Sequence, residues 1–349
     1  MIRSRIIGLG SYVPDRVVTN EEIPYVGQDL LRKPERQTDT DHAWIVERTG
    51  IEQRRYAPAG VSCSDLAVLA SQRAIADAGL TAKDIDCVIL GTLSPDIHFP
   101  GTAVFVQEKL GMGHFPACYD LRQQCSAFIY GLQMADALVR AGVHRHVLII
   151  GSEVHSHALD FSTRGRDVMV LFGDAAGACV VGAHETNDPR AGVLYTKAHA
   201  DGAGAWALHM KVFDISQTPI IHYDARDRDV NQIKYPQMDG RKVFVNAVKR
   251  MSEVSLKALA ETGLTWADID WFVPHQANLR ISQAVAEKAA IPEAKVLHTI
   301  QLYGNTTAAT IPLTIDHHRA QGRVKRGDLI LAAVFGSGFT WGAAIFRLG

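Results

Sequence analysis

Short apolar, β-branched runs alternate along the chain with segments whose hydrophobic residues recur every three to four positions. Arg5–Gly8, Cys87–Gly91, Val147–Gly151, Ala178–Val181, Trp271–Val273 and Leu329–Phe335 read as strands. Asp65–Ala78, Ala103–Leu110, Ala127–Ala141, Gly240–Thr262, Leu279–Ala290 and Thr310–Gln321 read as helices. Short strands separated by helices predict α/β layering. Val147–Ile150 and Leu329–Val334 are apolar without alternation, which predicts that helices cover both faces of those strands.

The chain repeats itself. Gly79-Leu-Thr-Ala-Lys-Asp-Ile-Asp86 returns as Gly263-Leu-Thr-Trp-Ala-Asp-Ile-Asp270, with six of eight positions identical at an offset of 184. Each copy follows a long amphipathic helix and precedes an apolar strand. A weaker echo relates His144–Gly151 to Lys325–Ala332, each a basic turn feeding a buried strand. Two echoes in the same order predict a duplicated fold with halves 1–185 and 186–349. The period is too long for a solenoid. In such a fold, loops from the same ends of two sheets converge on one cleft. The stretch 199–237, rich in Asp, Gly and His, has no clear period and reads as an insertion or functional flap.

Charge and composition narrow the classes. Lys plus Arg is 36 against 37 Asp plus Glu, a net charge of −1, so no global field recruits nucleic acid or an anionic membrane. Hydrophobic residues make up 47% of the chain, which excludes disorder as its general state. No apolar run approaches the roughly 18 residues a membrane span requires. Arg3 and Arg5 interrupt the first apolar residues, so the start reads as a strand and not as a signal peptide. The cysteines, Cys63, Cys87, Cys118, Cys125 and Cys179, are odd in number and form no C-x-x-C pair. That pattern predicts reduced thiols in a cytoplasmic setting.

Four places carry candidate chemistry. Cys125 lies at the predicted start of the helix that begins at Ala127, where unpaired N–H groups and the macrodipole favour a thiolate nucleophile. His275 follows the repeat strand in Val273-Pro-His-Gln-Ala-Asn-Leu-Arg280 and faces the expected cleft; its plainer reading is a helix-entry cap. Asn305 lies in Gly304-Asn-Thr306, where an ordinary N-cap is the plainer reading. The Gly336–Gly342 turn exposes backbone N–H groups of the kind that form an oxyanion hole. Gly173–Ala178 lacks the spacing of a phosphate loop. His155, His157, His317 and His318 lack a third ligand at a diagnostic spacing, so no metal site is expected.

Taken together, these segments resemble the β-ketoacyl-acyl-carrier-protein synthase III family of the thiolase superfamily. Trp44-Ile-Val-Glu-Arg-Thr-Gly-Ile51, Gln124-Cys-Ser-Ala-Phe128, Pro274-His-Gln-Ala-Asn278, Gly304-Asn-Thr306 and Gly338-Phe-Thr-Trp-Gly342 follow the order of the family's signatures across nearly the whole chain. The resemblance implies a duplicated five-layer α-β-α-β-α fold and a homodimer. It implies that Cys125 takes an acyl group from acyl-CoA. Malonyl on acyl carrier protein then loses CO2, and the enolate, bound by His275 and Asn305, attacks the acyl-enzyme. No cofactor is implied. The N–H groups of Cys125 and Ser337 would hold the tetrahedral oxyanion. Trp44, Arg48 and Arg164 are implied to meet CoA, Asn278 to support the triad, and Phe335 to line the substrate site. Arg280 is implied to face the carrier, and Phe99 to reach the partner's acyl pocket.

The chain also departs from the family's pattern. Ser337 stands for the middle glycine of the turn, and Ser disfavours positive φ. Val245 and Glu287 stand where lysines are usual for carrier docking, Gln123 and Gln124 replace small residues, and the 199–237 stretch is expected to make the chain longer than housekeeping members. These departures keep open a second reading, a specialised acyltransferase of secondary metabolism that moves the acyl group to another acceptor. A third reading is a binding protein without catalysis. A thiolase proper would need a later catalytic cysteine, and none follows Cys179.

Overall fold

The computed structural model describes residues 1–26, 38–212, 215–216 and 235–349. Five strands form one sheet in the spatial order Ile2–Tyr12, Ala175–Glu185, His146–Glu153, Cys87–Gly91 and Ala117–Leu121. A second sheet runs Val193–Ala200, Thr340–Arg347, Leu329–Gly336 and Trp271–Pro274. In both sheets the first two pairings are antiparallel and the third parallel. The second sheet thus repeats the first four strands of the first, and Ala117–Leu121 is the extra edge strand, parallel to Cys87–Gly91.

The unbroken apolar runs are divided between two covered faces. Cys87 and Ile89, Val147 and Ile149, and Ile330, Ala332 and Val334 enter a core between the sheets. The helices Ala127–Arg140 and Thr310–Ala320 fill that core through Phe128, Leu132, Ile311 and Ile315. The alternate residues Val88, Leu90, Leu148 and Ile150 pack outward against the helices Cys63–Asp77 and Thr102–Lys109. On the far side, Leu329, Leu331 and Ala333 meet Gly240–Thr262 and Leu279–Lys288. Helices, sheet, helices, sheet, helices make five layers, because a strand apolar at every position must be covered twice.

The sequence repeat is also a repeat of contacts. Thr81 donates its N–H and hydroxyl to Asp84 at 2.8 and 2.7 Å, and Thr265 donates the same two groups to Asp268, both at 2.8 Å. Gly79 and Gly263 end the preceding helices at φ 68° and 67°, a backbone that glycine adopts freely. Asp86 accepts the N–H of His146 at 2.9 Å, and Asp270 accepts that of Leu329 at 2.7 Å. The two echoed segments therefore dock on each other in each half. The strand expected at Arg5–Gly8 runs from Ile2 to Tyr12. Thr340–Arg347 has a glycine and two alanines at its centre, and Val193–Ala200 ends in Lys-Ala-His-Ala, so neither stands out as a strand in the sequence.

Candidate active site

Cys125 lies in the tight turn Gln124–Ser126 that leads into the central helix Ala127–Arg140. Gln124 before it is left-handed at φ 43°, a conformation that costs a non-glycine residue on the order of 1 kcal/mol or more. The Ser337 hydroxyl donates to Gln124 Oε1 at 3.0 Å and pins that side chain. Gly336 lies directly behind the thiol: a Cβ there would stand 3.1 Å from the Cys125 Cβ. The left-handed position in this turn is Gly338, at φ 130°, and Ser337 is not among the positive-φ residues. The serine therefore adds a hydroxyl without straining the backbone.

Asn305 enters from the second half. Its N–H donates to the Leu171 carbonyl at 2.7 Å, and its carbonyl accepts from the Gly173 N–H at 3.1 Å. Its side-chain Oδ1 accepts the Thr307 N–H at 2.9 Å, so the amide NH2 is the group left to donate. Asn305 does not cap the helix Thr310–Ala320; its side chain serves the turn before it.

His275 follows the strand Trp271–Pro274, and its N–H donates to the Ala333 carbonyl at 2.8 Å. Gln276 beside it accepts from the N–H groups of Thr299 and Ile300 at 2.7 and 3.0 Å and donates to Thr314 at 2.8 Å. That network fixes the segment. The imidazole is 3% exposed, and neither ring nitrogen has a partner. Burial lowers its pKa to about 3, so the ring is neutral. A buried imidazole with unmet hydrogen-bonding capacity is high in energy unless a ligand meets it. The helix-entry cap is Asn278, whose Oδ1 accepts the Arg280 N–H at 2.9 Å.

Cys125, His275, Asn305, Phe335 and Ser337 line one cavity of about 950 Å³. The thiolate expected from helix position alone is corrected by burial. Desolvation, then the nearby Glu153 carboxyl, push the Cys125 thiol up to about 12, against the opposing pull of its own backbone N–H. Burial thus favours the neutral thiol of Cys125 and the neutral imidazole of His275 in the one cavity they line. Ala205, Leu208, His209, Met210 and Val212, with Pro236, also line the cavity, so the described ends of the 199–237 stretch form part of its wall. Residues 213–214 and 217–234 of that stretch lie outside the described residues.

The remaining expected residues lie elsewhere. Trp44 on the helix His42–Thr49 carries the Arg48 guanidinium 4.5 Å and the Arg166 guanidinium 4.6 Å from its ring centroid. Arg164 is instead held by Asp160, with Nη2 to Oδ2 at 2.6 Å. Arg166 does not stand out in the sequence, although it lies two residues beyond Arg164 in the same turn. Asn278 is not among the cavity-lining residues; its Nδ2 donates to the Arg48 carbonyl at 2.8 Å and joins the two segments. Arg280 is exposed next to the cavity-lining Ile281. Phe99 is 79% exposed, and its neighbours Ile97 and His98 line the cavity. Among the described residues no group of His, Cys, Asp and Glu has the arrangement of a metal site.

Comparison with known proteins places this geometry. Family models of 3-oxoacyl-[acyl-carrier-protein] synthase III match residues 119–202, and of its C-terminal part residues 259–348. The chain is 43% identical to β-ketoacyl-[acyl-carrier-protein] synthase III of Hyphomonas neptunium, over 99% of each chain. It is also 43% identical to that of Alkalilimnicola ehrlichii, over 99% of this chain and 100% of the relative. A crystal structure of 3-oxoacyl-[acyl-carrier-protein] synthase III from Aquifex aeolicus superimposes with a TM-score of 0.84 at 38% identity, covering 99% of each chain. These relatives are nearly as long as this chain, so the 199–237 stretch does not make it longer than them, contrary to the expectation from sequence.

Proposed function

This chain belongs to the 3-oxoacyl-[acyl-carrier-protein] synthase III family and is a condensing enzyme of that type, and we propose that Cys125, His275 and Asn305 carry its reaction. In the first half, Cys125 Sγ bonds to the carbonyl carbon of acyl-CoA. The C–S bond to CoA breaks, and the thiol proton leaves with the CoA sulfur. The developing oxyanion meets the N–H groups of Cys125 and Ser337. In the second half, malonyl on acyl carrier protein enters. The bond to its carboxylate breaks, CO2 leaves, and the electron pair forms an enolate. One ring nitrogen of neutral His275 and the Asn305 amide donate to the enolate oxygen. The enolate carbon then bonds to the acyl carbon, the bond to Cys125 breaks, and the sulfur takes from solvent the one proton that the overall condensation consumes. Donors already fixed in a dry cavity stabilise developing charge without having to reorganise, which makes them the strongest catalytic device such a site can offer.

One observation carries the reading: a thiol from the first half and an imidazole and carboxamide from the second line the same cavity. The chemistry needs no cofactor beyond the two thioester substrates. Trp44, flanked by Arg48 and Arg166, offers a stacking and cationic site for the nucleotide end of CoA. Arg280 at the rim meets the carrier, while Val245 and Glu287, both exposed, add no positive charge there. The edge strand Ala117–Leu121, with exposed Tyr119, and exposed Phe99 and Phe115 support a homodimer formed across that edge. No helix among the described residues is long and apolar enough to cross a membrane, in keeping with a cytoplasmic enzyme.

Acyl-CoA and malonyl carrier supplied together test the reading. CO2 release with formation of the ketoacyl carrier is expected, and its abolition in Cys125→Ala. Acylation of Cys125 with no malonyl-dependent CO2 would contradict condensation and favour transfer of the acyl group to another acceptor.

A further inference from the structure

One buried cation takes no part in the steps above. Arg54 lies on the short strand Gln53–Arg55, is fully buried and is not among the residues lining the cavity. Its Nη1 donates to Asn20 Oδ1 at 2.7 Å and its Nη2 to the Val170 carbonyl at 2.8 Å, both neutral acceptors, while Nε has no partner. A charge buried among neutral groups is costly, and only firm hydrogen bonds keep it there. Val170 begins the segment that fixes Asn305. The next carbonyl, that of Leu171, accepts the Asn305 N–H at 2.7 Å, and the Gly173 N–H donates to the Asn305 carbonyl at 3.1 Å. Phe172 and Asn305 thereby pair as in a parallel sheet. The Arg54 stem lies against both sides of this pairing: a Cβ on Gly173 would stand 3.1 Å from the Arg54 Cβ, and one on Gly304 3.5 Å from it. Asn20, at the other end of the guanidinium, is itself buried and donates to the Ile51 carbonyl at 2.7 Å.

We infer that Arg54 is a positioning residue for Asn305: anchored on Asn20, it grips the Val170 carbonyl and so holds the backbone of residues 170–173, on which Asn305 is bridged. Arginine suits this place because its planar fork reaches two acceptors at a fixed spacing, whereas a lysine offers a single point charge. Leu171 and Phe172 of the gripped segment line the cavity together with Asn305. None of these hydrogen bonds reaches the Gln124–Ser126 turn that presents Cys125. The inference rests on the role proposed for Asn305 in condensation. It predicts an asymmetry that a merely structural residue would not produce, because acylation uses the Cys125 turn and decarboxylation uses Asn305.

The test is Arg54→Met in the full chain, with the two half-reactions measured separately. Methionine keeps an unbranched, adaptable stem and leaves no unpaired charge behind. Acyl transfer from acyl-CoA to Cys125, read by intact mass, is expected within about threefold of wild type, while malonyl-dependent CO2 release is expected to fall about 100-fold, the scale on which small misplacements of reacting groups act. Equal loss in both half-reactions, or undiminished CO2 release, overturns the inference. Asn20 decides the matter even if Arg54→Met does not fold. Asn20→Asp keeps an acceptor for Arg54 and should retain CO2 release within about threefold, whereas Asn20→Leu removes the anchor and should lower it about 10-fold with acylation unchanged. Equal behaviour of the two overturns the inference. Wild-type enzyme run alongside separates the two claims, since wild type that releases no CO2 contradicts the condensing role of Asn305 itself.

Discussion

Gln124 and Thr307 occupy equivalent places in the two halves: each precedes a central helix by three residues, and each is left-handed, at φ 43° and 42°. The turns Gln124–Ser126 and Thr307–Ala309 pack against each other where the central helices begin. Duplication has thus placed two strained turns face to face. One presents the thiol of Cys125 and the other positions the carboxamide of Asn305. Strain of this kind persists where surrounding contacts over-determine it, as the Ser337 hydrogen bond to Gln124 and the contact of His155 with the Thr307 hydroxyl do here.

If His275 and Asn305 stabilise the enolate, removing either should spare the first half-reaction. His275→Ala and Asn305→Ala are expected to acylate on Cys125 yet to lose malonyl-dependent CO2 release by about 100- to 1000-fold, the cost of deleting one preorganised oxyanion donor. Rapid-quench measurement of each half-reaction checks this. Loss confined to acylation would contradict it.

The close approach of Gly336 to Cys125 makes a sharper steric prediction. A methyl group at 336 would meet Cys125 Cβ at 3.1 Å and the Ser126 hydroxyl at 3.2 Å. Gly336→Ala should therefore slow acylation of Cys125 by at least about 10-fold, since it displaces the nucleophile's turn. Circular dichroism should show the fold retained. Wild-type acylation in this variant would mean that the turn has room the structure denies it.

For nucleotide binding, the structure ranks two arginines. Both are ion-paired, Arg166 to Asp39 at 2.9 Å and Arg164 to Asp160 at 2.6 Å, but Arg166 alone of the two lies on Trp44. Arg166→Ala is expected to raise KM for acyl-CoA about 3- to 10-fold, the size of a partly desolvated cation–π contact, with kcat unchanged. Arg164→Ala should have the smaller effect. Steady-state kinetics decide between them, and the reverse order would contradict the placement.

The buried titratable groups give stability a pH dependence. Burial lowers His275 and His155 to about 3 and His298 to about 4, below the ordinary 6.5. As pH falls below 6.5 the unfolded chain takes up protons at these positions while the folded chain does not, so stability falls. Glu153 acts oppositely. Burial raises it from 4.5 to about 7, so its share of stability is lost as pH rises through that interval. Three histidines against one carboxyl leave a net acid destabilisation on the order of 2 kcal/mol per pH unit between about 6.5 and 4.5. Urea midpoints at pH 5 and pH 7 check the sign, and a midpoint equal or higher at pH 5 would contradict it.

Much of this architecture is legible in the sequence because its signals are local. The apolar run at Leu329–Val334 announces a strand covered on both faces, and the two Thr-x-x-Asp turns at Thr81 and Thr265 announce the duplication. What escapes depends on groups distant along the chain. Glu153 looks like the polar end of a strand; the hydroxyls of Thr92 and Ser94 that donate to it reach it only on folding. Arg166 gains its role from Trp44, more than a hundred residues earlier. Sequence misjudges the ionisation of Cys125 because helix position is visible there and depth of burial is not. Thr340–Arg347 escapes because its small residues suit a crowded centre: a Cβ on Gly342 would stand 3.0 Å from Ile129 Cγ2.

Peptide mapping by mass spectrometry after exposure to acyl-CoA tests the central claim most directly, because Cys63 also lines the cavity. A single acyl group on Cys125, discharged on adding malonyl carrier, is the predicted result. An adduct on Cys63, or one on Cys125 that malonyl carrier fails to discharge, would contradict the account.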